Sequence, residues 1–463
     1  MEDQLGALTT IFTEVYYWIT VVFMFLIHVG FCMYEVGASR RKNMMHTLMK
    51  NTMVIPLVTV SFFFFGWYIY FGWHNGIPGI IGADPAPYGL TDINWAAPWS
   101  PFMGATLSSE GDGYWSHING VFWAAFLLFS WTAASIVSGA VIERIRSGAF
   151  WILAVVIGSF TWIIDASWGW HPDGWMVAQL GYHDAYASGV IHAIAGGFAL
   201  GVLVVLGPRI GKFAADGTPR DIVPHNPWLV TIGLFLIYTG FWGFYVACNV
   251  PIATTGWIDG MMTGATQTAT TIYLTPTTLG AITMNFLLSL SGGMMVGYMV
   301  SKGDAFWTYS GGLAGIITAS AGNDLYHPMQ AFVIGGIGTY IAYKMHFWVE
   351  NKFKIDDAVG AVAVHGYAGF WGLIIAGFVL WGHPSSPYEG FAAITPWGQF
   401  AGAMIMFWVL GFIPAWIVAK ILASMDLLRI PREVELLGLD FHSNQEADQA
   451  RADVAAAVRA EHG

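Results

Sequence analysis

Uncharged apolar runs, many of them long enough to cross a bilayer, alternate along the chain with short connections that hold most of its ionisable residues. A helix needs about 20 apolar residues to cross the ~30 Å hydrocarbon core. Runs that qualify are 15–34, 51–73, 118–142, 147–164, 185–208, 227–250, part of 261–301, 305–322, 358–382 and part of 390–419. A shorter run, 328–343, has 16 residues. Together they predict eleven spanning helices, an all-α integral membrane protein. The stretch 261–301 is too long for one helix, so its start is expected to be a loop.

All 18 Lys and Arg fall in alternate connections, among them Arg40, Arg41 and Lys42, then Arg144 and Arg146, then Arg209, Lys212 and Arg220. Lys302 follows, then Lys344, Lys352 and Lys354, and finally the tail from Lys420. The other connections, 74–117, 165–184, 251–270, 323–327 and 383–389, contain no basic residue. The positive-inside rule then puts the N-terminus outside and the C-terminus inside. The outer connections carry acids without bases: Asp84, Asp92, Glu110, Asp112, Asp173, Asp259, Asp324 and Glu389. Such a face concentrates cations and repels anions; solvated loop acids are the plainer reading.

Composition agrees with the pattern. The chain is 56% hydrophobic and 10% charged, where a soluble domain carries roughly 25% charged residues. Its two cysteines, Cys32 and Cys248, lie in apolar runs and suggest neither a disulfide framework nor a Cys-based metal site. The start, "MEDQLGALTT", lacks a basic signal-peptide region, so all of it is read as mature protein. No P-loop, GxSxG elbow, HExxH or basic run for nucleic acid is present. An ATP-driven pump and an enzyme are therefore not expected, nor is a cofactor. Residues 1–422 read as the membrane domain and 423–463 as a cytoplasmic tail, whose end, "NQEADQARADVAAAVRAEHG", reads as an exposed, charged, Ala-rich helix.

One motif occurs twice. In "YHDAYASGVIHAIAGGF", Asp184 precedes His192 by eight residues, and in "DDAVGAVAVHGYAGFWG", Asp357 precedes His365 by eight. Topology puts the first Asp at the outer end of span 5 and the second at the inner end of span 10. At 1.5 Å per residue each histidine lies ~12 Å inside its boundary, near mid-membrane. This is the pattern of an inverted repeat of spans 1–5 and 6–10, with span 11 added and the site at the midplane. Facing imidazoles could be satisfied core residues or haem ligands. They could equally donate and accept together, passing protons by tautomer exchange. Phe129, Phe244 and Trp168 supply faces that stabilise cations, or ordinary membrane packing. Cys248, ending span 6, is also consistent with an inert buried thiol.

From about residue 10 to about 446 the chain resembles the ammonium transporter family (Amt/Rh), on the Amt side. The resemblance rests on "EVGASRRKNMMHTLMKN", "AASIVSGAVIERIRSGAF", "DAYASGVIH", "DDAVGAVAVHGYAG" and "VELLGLD", in order. It implies a homotrimer of eleven-helix subunits in the cytoplasmic (inner) membrane. Each subunit would conduct ammonium or methylammonium, recruited outside and deprotonated, with ammonia and a proton passing twin histidines. By motif, Trp168 and Cys248 would flank an outer vestibule, with Phe129 and Phe244 as the gate. His192 and His365 would be the dyad, Asp184 the organising acid, and Thr318 a pore-lining residue. A PII-type regulator is the implied inner partner. An ammonium sensor of the same fold is the alternative, although 423–463 is short for a signalling domain. The chain departs from the family at Cys248 (usually serine), Ala185 to Ser188 (usually Phe-Ala-Gly-Gly), Ala125 (aromatic), Tyr68 (small serine) and Gly360 (often aspartate).

Overall fold

The computed structural model describes residues 2–77, 81–82, 113–250, 269–273, 275–386 and 389–442. The acids Asp84, Asp92, Glu110, Asp112 and Asp259, and the end of the tail from 443, lie outside these residues.

Each of the eleven expected runs is helical. The first half comprises α1 (Glu2–Ala38), α2 (Met44–Thr52), α3 (Val54–Gly72), α4 (Gly113–Ala140), α5 (Ser147–Val156), α6 (Trp162–Gly169), the short α7 (Trp175–Leu180) and α8 (Ile194–Leu206). The second comprises α9 (Pro227–Ala247), α10 (Leu279–Val300), α11 (Ala305–Ala319), α12 (Pro328–Phe353) and α13 (Ala368–Val379). Then come α14 (Pro396–Met404) and α15 (Ile413–Ser424), and the short α16 (Arg432–Leu437) and α17 (Leu439–His442). Two small antiparallel sheets, Gly76–Ile77 with Ile81–Gly82 and a three-stranded one over 249–277, sit in the base-free connections.

Among the described residues nine helical segments are long and apolar enough to cross a membrane. The other two expected runs behave differently. Helix α11 has 15 residues, while α12 extends to 26 and carries Lys344, His346 and Glu350. An uncharged run marks the part of a helix suited to lipid; it does not mark where the backbone ladder stops. Helix starts were more legible: Pro227, Pro328 and Pro396 occupy the first turn. There proline's missing N–H costs nothing, and Asn226, His327 and Thr395 accept the next free amides.

Glycine brings facing helices close together. Helix α1 packs along α9, and a methyl at Gly30 would strike the Gly233 carbonyl while one at Gly233 would strike the Gly30 carbonyl. The elements bearing the two histidines cross in the same reciprocal way at Gly196 and Gly366. Small residues permit such approach where lipid offers helices no hydrophobic drive to associate.

At the base-rich end buried ions are paired. Arg209 donates from Nε and Nη2 to Asp356 at 2.8 and 2.9 Å. Glu143 accepts from Arg40 Nε at 2.7 Å and from the Arg40 amide. Helices α16 and α17 dock here. Glu435 accepts from the Ile210 amide and from Arg429, and Asp440 from the amides of Met45 and His46. Residues 428–442 thus pack against the body; the segment expected to be an exposed helix, 444–463, lies outside the described residues.

Candidate functional site

Both histidines sit in π-helical turns, Ser188–Ala193 and Val362–Tyr367, that lead directly into α8 and α13. Each turn begins with an aspartate whose carboxylate accepts three successive free amides. Asp184 takes those of Ser188, Gly189 and Val190 at 2.6, 2.7 and 2.9 Å. Asp357 takes those of Ala361, Val362 and Ala363 at 2.9, 2.8 and 3.3 Å. In each case the third residue after the aspartate is left-handed: Ala187 at φ 77° and Gly360 at φ 71°. The departure at Ala187 therefore puts a side chain where glycine is strain-free.

The eight-residue spacing thus has a structural cause. The aspartate caps the turn, and the turn carries the histidine to its partner. His192 Nδ1 and His365 Nδ1 are 3.0 Å apart, with ring centroids 5.1 Å apart. One nitrogen donates and the other accepts, so the two rings hold opposite tautomers, and exchanging them reverses the bond. Direct contact rules out haem between them, because an iron would hold the ligating nitrogens two metal–nitrogen bonds apart. His192 Nε2 has no hydrogen-bond partner. Among the described residues no group of three or more His, Cys, Asp or Glu could hold a metal ion.

Toward the base-free end the dyad is capped by aromatic rings. His192 stacks on Phe244 and Phe241, each 5.7 Å away. Phe129 meets Phe244 edge-on at 4.7 Å. Trp170, which the sequence did not single out, meets Phe129 at 5.0 Å and donates to the Asp184 carbonyl at 2.7 Å. Trp168 instead packs on Trp175 and donates to the Trp73 carbonyl. The pair "WGW" offered both rings; only the helix end at Gly169 decides which turns inward. Cys248 is fully buried at the end of α9, its thiol donating to the Phe244 carbonyl at 3.3 Å. The positions of the other two departures, Ala125 and Tyr68, are buried too, as is Phe126, whose ring meets Phe129 at 5.9 Å.

Toward the base-rich end His365 opens on a narrow cavity lined also by Phe31, Tyr34, Glu35 and Ser310. Glu35 is buried. Ser138 donates to its Oε2 at 2.7 Å and Lys50 Nζ lies 3.6 Å from the same atom. Thr318 is not among the residues lining this cavity. Its hydroxyl donates to the Ala314 carbonyl, and its side chain fills the space beside Gly338.

Two acids behave unlike the sequence expectation. Asp324, read as a surface acid, is buried against His183 Nε2 at 3.0 Å. Burial lowers the His183 pKa, but the charge and hydrogen bond of Asp324 outweigh it, and the net shift is upward. Asp165 was missed because it ended the uncharged run at 164 and so passed for a loop residue. It lies inside α6, fully buried.

The family model described as Ammonium Transporter Family matches residues 15–449. Ammonium transporter Amt2 of Archaeoglobus fulgidus is 30% identical over 439 residues, covering 89% of this chain and 82% of that protein. Ammonium transporter Amt2 of Methanocaldococcus jannaschii is 29% identical, covering 94% and 91%. Among solved structures the chain is similar to one titled Sensor Amt Protein, at TM-score 0.74 and 24% identity, covering 96% of this chain and 100% of that one. That likeness speaks to fold.

Proposed function

The chain belongs to the Ammonium Transporter Family, a family of transporters and not of enzymes, and we propose that it carries ammonium across a cytoplasmic membrane as ammonia plus a relayed proton. The reading takes the multi-pass body as eleven spans, N-terminus outside and C-terminus inside, with residues 1–422 as the membrane domain. The observation that carries it is the Nδ1–Nδ1 contact of His192 and His365 behind the Phe129–Phe244 pair.

The physical logic is a choice of cost. Moving a whole ammonium ion through a dry, ring-lined passage costs many kcal/mol of lost hydration. If the cation waits against Trp170 and Phe129, held by their faces, it can shed a proton and pass the rings as neutral ammonia. The proton moves separately through the dyad, whose tautomers then exchange. Potassium has no proton to lose and is excluded. Two roles expected from sequence shift: Trp170 takes the place of Trp168 at the vestibule, above the Phe129–Phe244 gate, and Thr318 packs the helices beside the path. The cavity beneath His365 is the inner exit. A homotrimer, and a PII-type regulator meeting the inner face where α16 and α17 dock, complete the proposal.

Ammonium pulses on proteoliposomes adsorbed to a solid-supported membrane test it. A sustained current is expected that potassium does not evoke and that His192→Ala alters. The double variant His192→Ala/His365→Ala is expected to pass potassium, and one that still excludes it refutes the relay. A second reading, ammonium sensing with little flux, is favoured by one observation: the Cys248 thiol is committed to the Phe244 carbonyl, which leaves the mouth a weak acceptor. A brief binding transient whose decay ignores liposome density is its signature.

A further inference from the structure

The relay as described needs no part of Asp165, yet among the described residues this buried acid has neither carboxyl oxygen partnered. It lies on α6 with both carboxyl oxygens buried and without a hydrogen-bond partner. One helical turn earlier, Thr161 Oγ1 and Trp162 Nε1 are also buried and unpartnered. An ionisable residue inside a membrane span is costly and marks a functional site by default. Helix α6 packs against the π-turn of His192 and the π-turn Ile405–Phe412.

Its ionisable surroundings are limited. Asp184 caps the π-turn on which α6 packs, and Tyr182, whose ring lies against Gly169 of α6, donates from its hydroxyl to Asp184 Oδ2 at 3.1 Å. Of the elements packed on α6, α3 brings Tyr68 and Tyr70, and the π-turn brings His192. Helix α7 and Ile405–Phe412 add none. Among the described residues these elements carry no Lys or Arg.

The two acids are provided for in opposite ways. Asp184 receives three amides and a phenol, the setting of an anion; Asp165 receives no donor at all, the setting of a neutral acid. Carboxyl groups whose surroundings differ this way divide the roles of base and acid. We propose that Asp165 and Asp184 form one proton-holding pair on the outer side of the dyad. At rest the pair carries one proton. It accepts a second from ammonium: an ammonium N–H bond breaks, a carboxyl O–H forms, and ammonia is left to pass the rings. The proton then leaves toward His192 and restores the pair. This rests on the transport reading for its use, though not for its detection.

The full-length protein carries two tests. Infrared difference spectra in detergent at neutral pH should show the carbonyl band of a protonated carboxyl. Asp165→Asn should remove that band, and Asp165→Glu should move it. In proteoliposomes the midpoint of the ammonium current against pH should shift in Asp165→Asn by roughly one unit, while wild type keeps its sustained current. A spectrum unchanged in Asp165→Asn or Asp165→Glu overturns the pair, as does a superimposable pH profile. Absence of current in wild type would instead overturn the transport reading, leaving the infrared result to decide the pair.

Discussion

The turn from Asp184 to His192 and the turn from Asp357 to His365 share a cap, a left-handed third residue and a π-helical register, but they face different surroundings. The first is closed in by Trp170, Phe129, Phe244 and Phe241 and packs against α6, which carries a second acid, Asp165. The second opens on a cavity with a carboxylate, Glu35, and its own cap lies at the edge of a wider space lined by Lys212 and His346. The two motifs share backbone geometry; they do not share an environment. The two sides of the dyad therefore differ: aromatic rings pack against one, and the other meets a narrow cavity at whose edge the Glu35–Lys50 pair is buried.

The largest effect in this comparison should come from the shared crossing. Gly196→Val puts branched carbon into the Gly366 backbone, and overpacking of that kind costs about 1–3 kcal/mol or more. Loss of folded protein on size-exclusion chromatography is expected; a well-folded variant would show the crossing to be slack. Next come the caps. Asp184→Ala strands three buried amides and a phenol, at ~1–3 kcal/mol for each unsatisfied group. Asp357→Ala strands three amides at the edge of the wider space lined by Lys212 and His346 and should lower the melting temperature less. Equal losses would break the asymmetry argued above.

Exchange of the left-handed residues is a finer probe. Ala187→Gly should stabilise the first turn and Gly360→Ala should destabilise the second, each by about 1 kcal/mol. Thermal melts in one detergent would compare them, and a destabilised Ala187→Gly would show that the Ala187 methyl packs usefully.

The smallest expected effects are pH responses at opposite ends. His183 is raised, with Asp324 outweighing burial. Its contribution is therefore full below its unfolded pKa and is lost as pH rises through the folded value. Asp356 runs the other way. Burial raises it, but Arg144 and Arg209 outweigh burial and lower it, so its contribution holds above the unfolded carboxylate pKa and fades as pH falls. His183→Gln should flatten the alkaline limb of a melting-temperature profile and Asp356→Asn the acid limb. Swapped limbs would contradict both assignments.

The sequence alone carried the helices, because eleven apolar runs separated by charge can satisfy their backbones in lipid only as helices. It also carried the two histidines and their caps, because an Asp eight residues before a mid-span histidine occurs twice. The family was legible for the same reason. What required tertiary structure was every choice between equivalent neighbours. Trp170 and not Trp168 meets Phe129, Thr318 fills the space beside Gly338 while Glu35 lines the cavity, and Asp324 is buried against His183. Each depends on which face of a helix meets which partner, a matter of rotation about the axis that a nearly uniform apolar sequence does not encode. Asp165 shows the same limit from the other side. Its residue type is plain in the sequence, but its isolation is a property of everything packed around it.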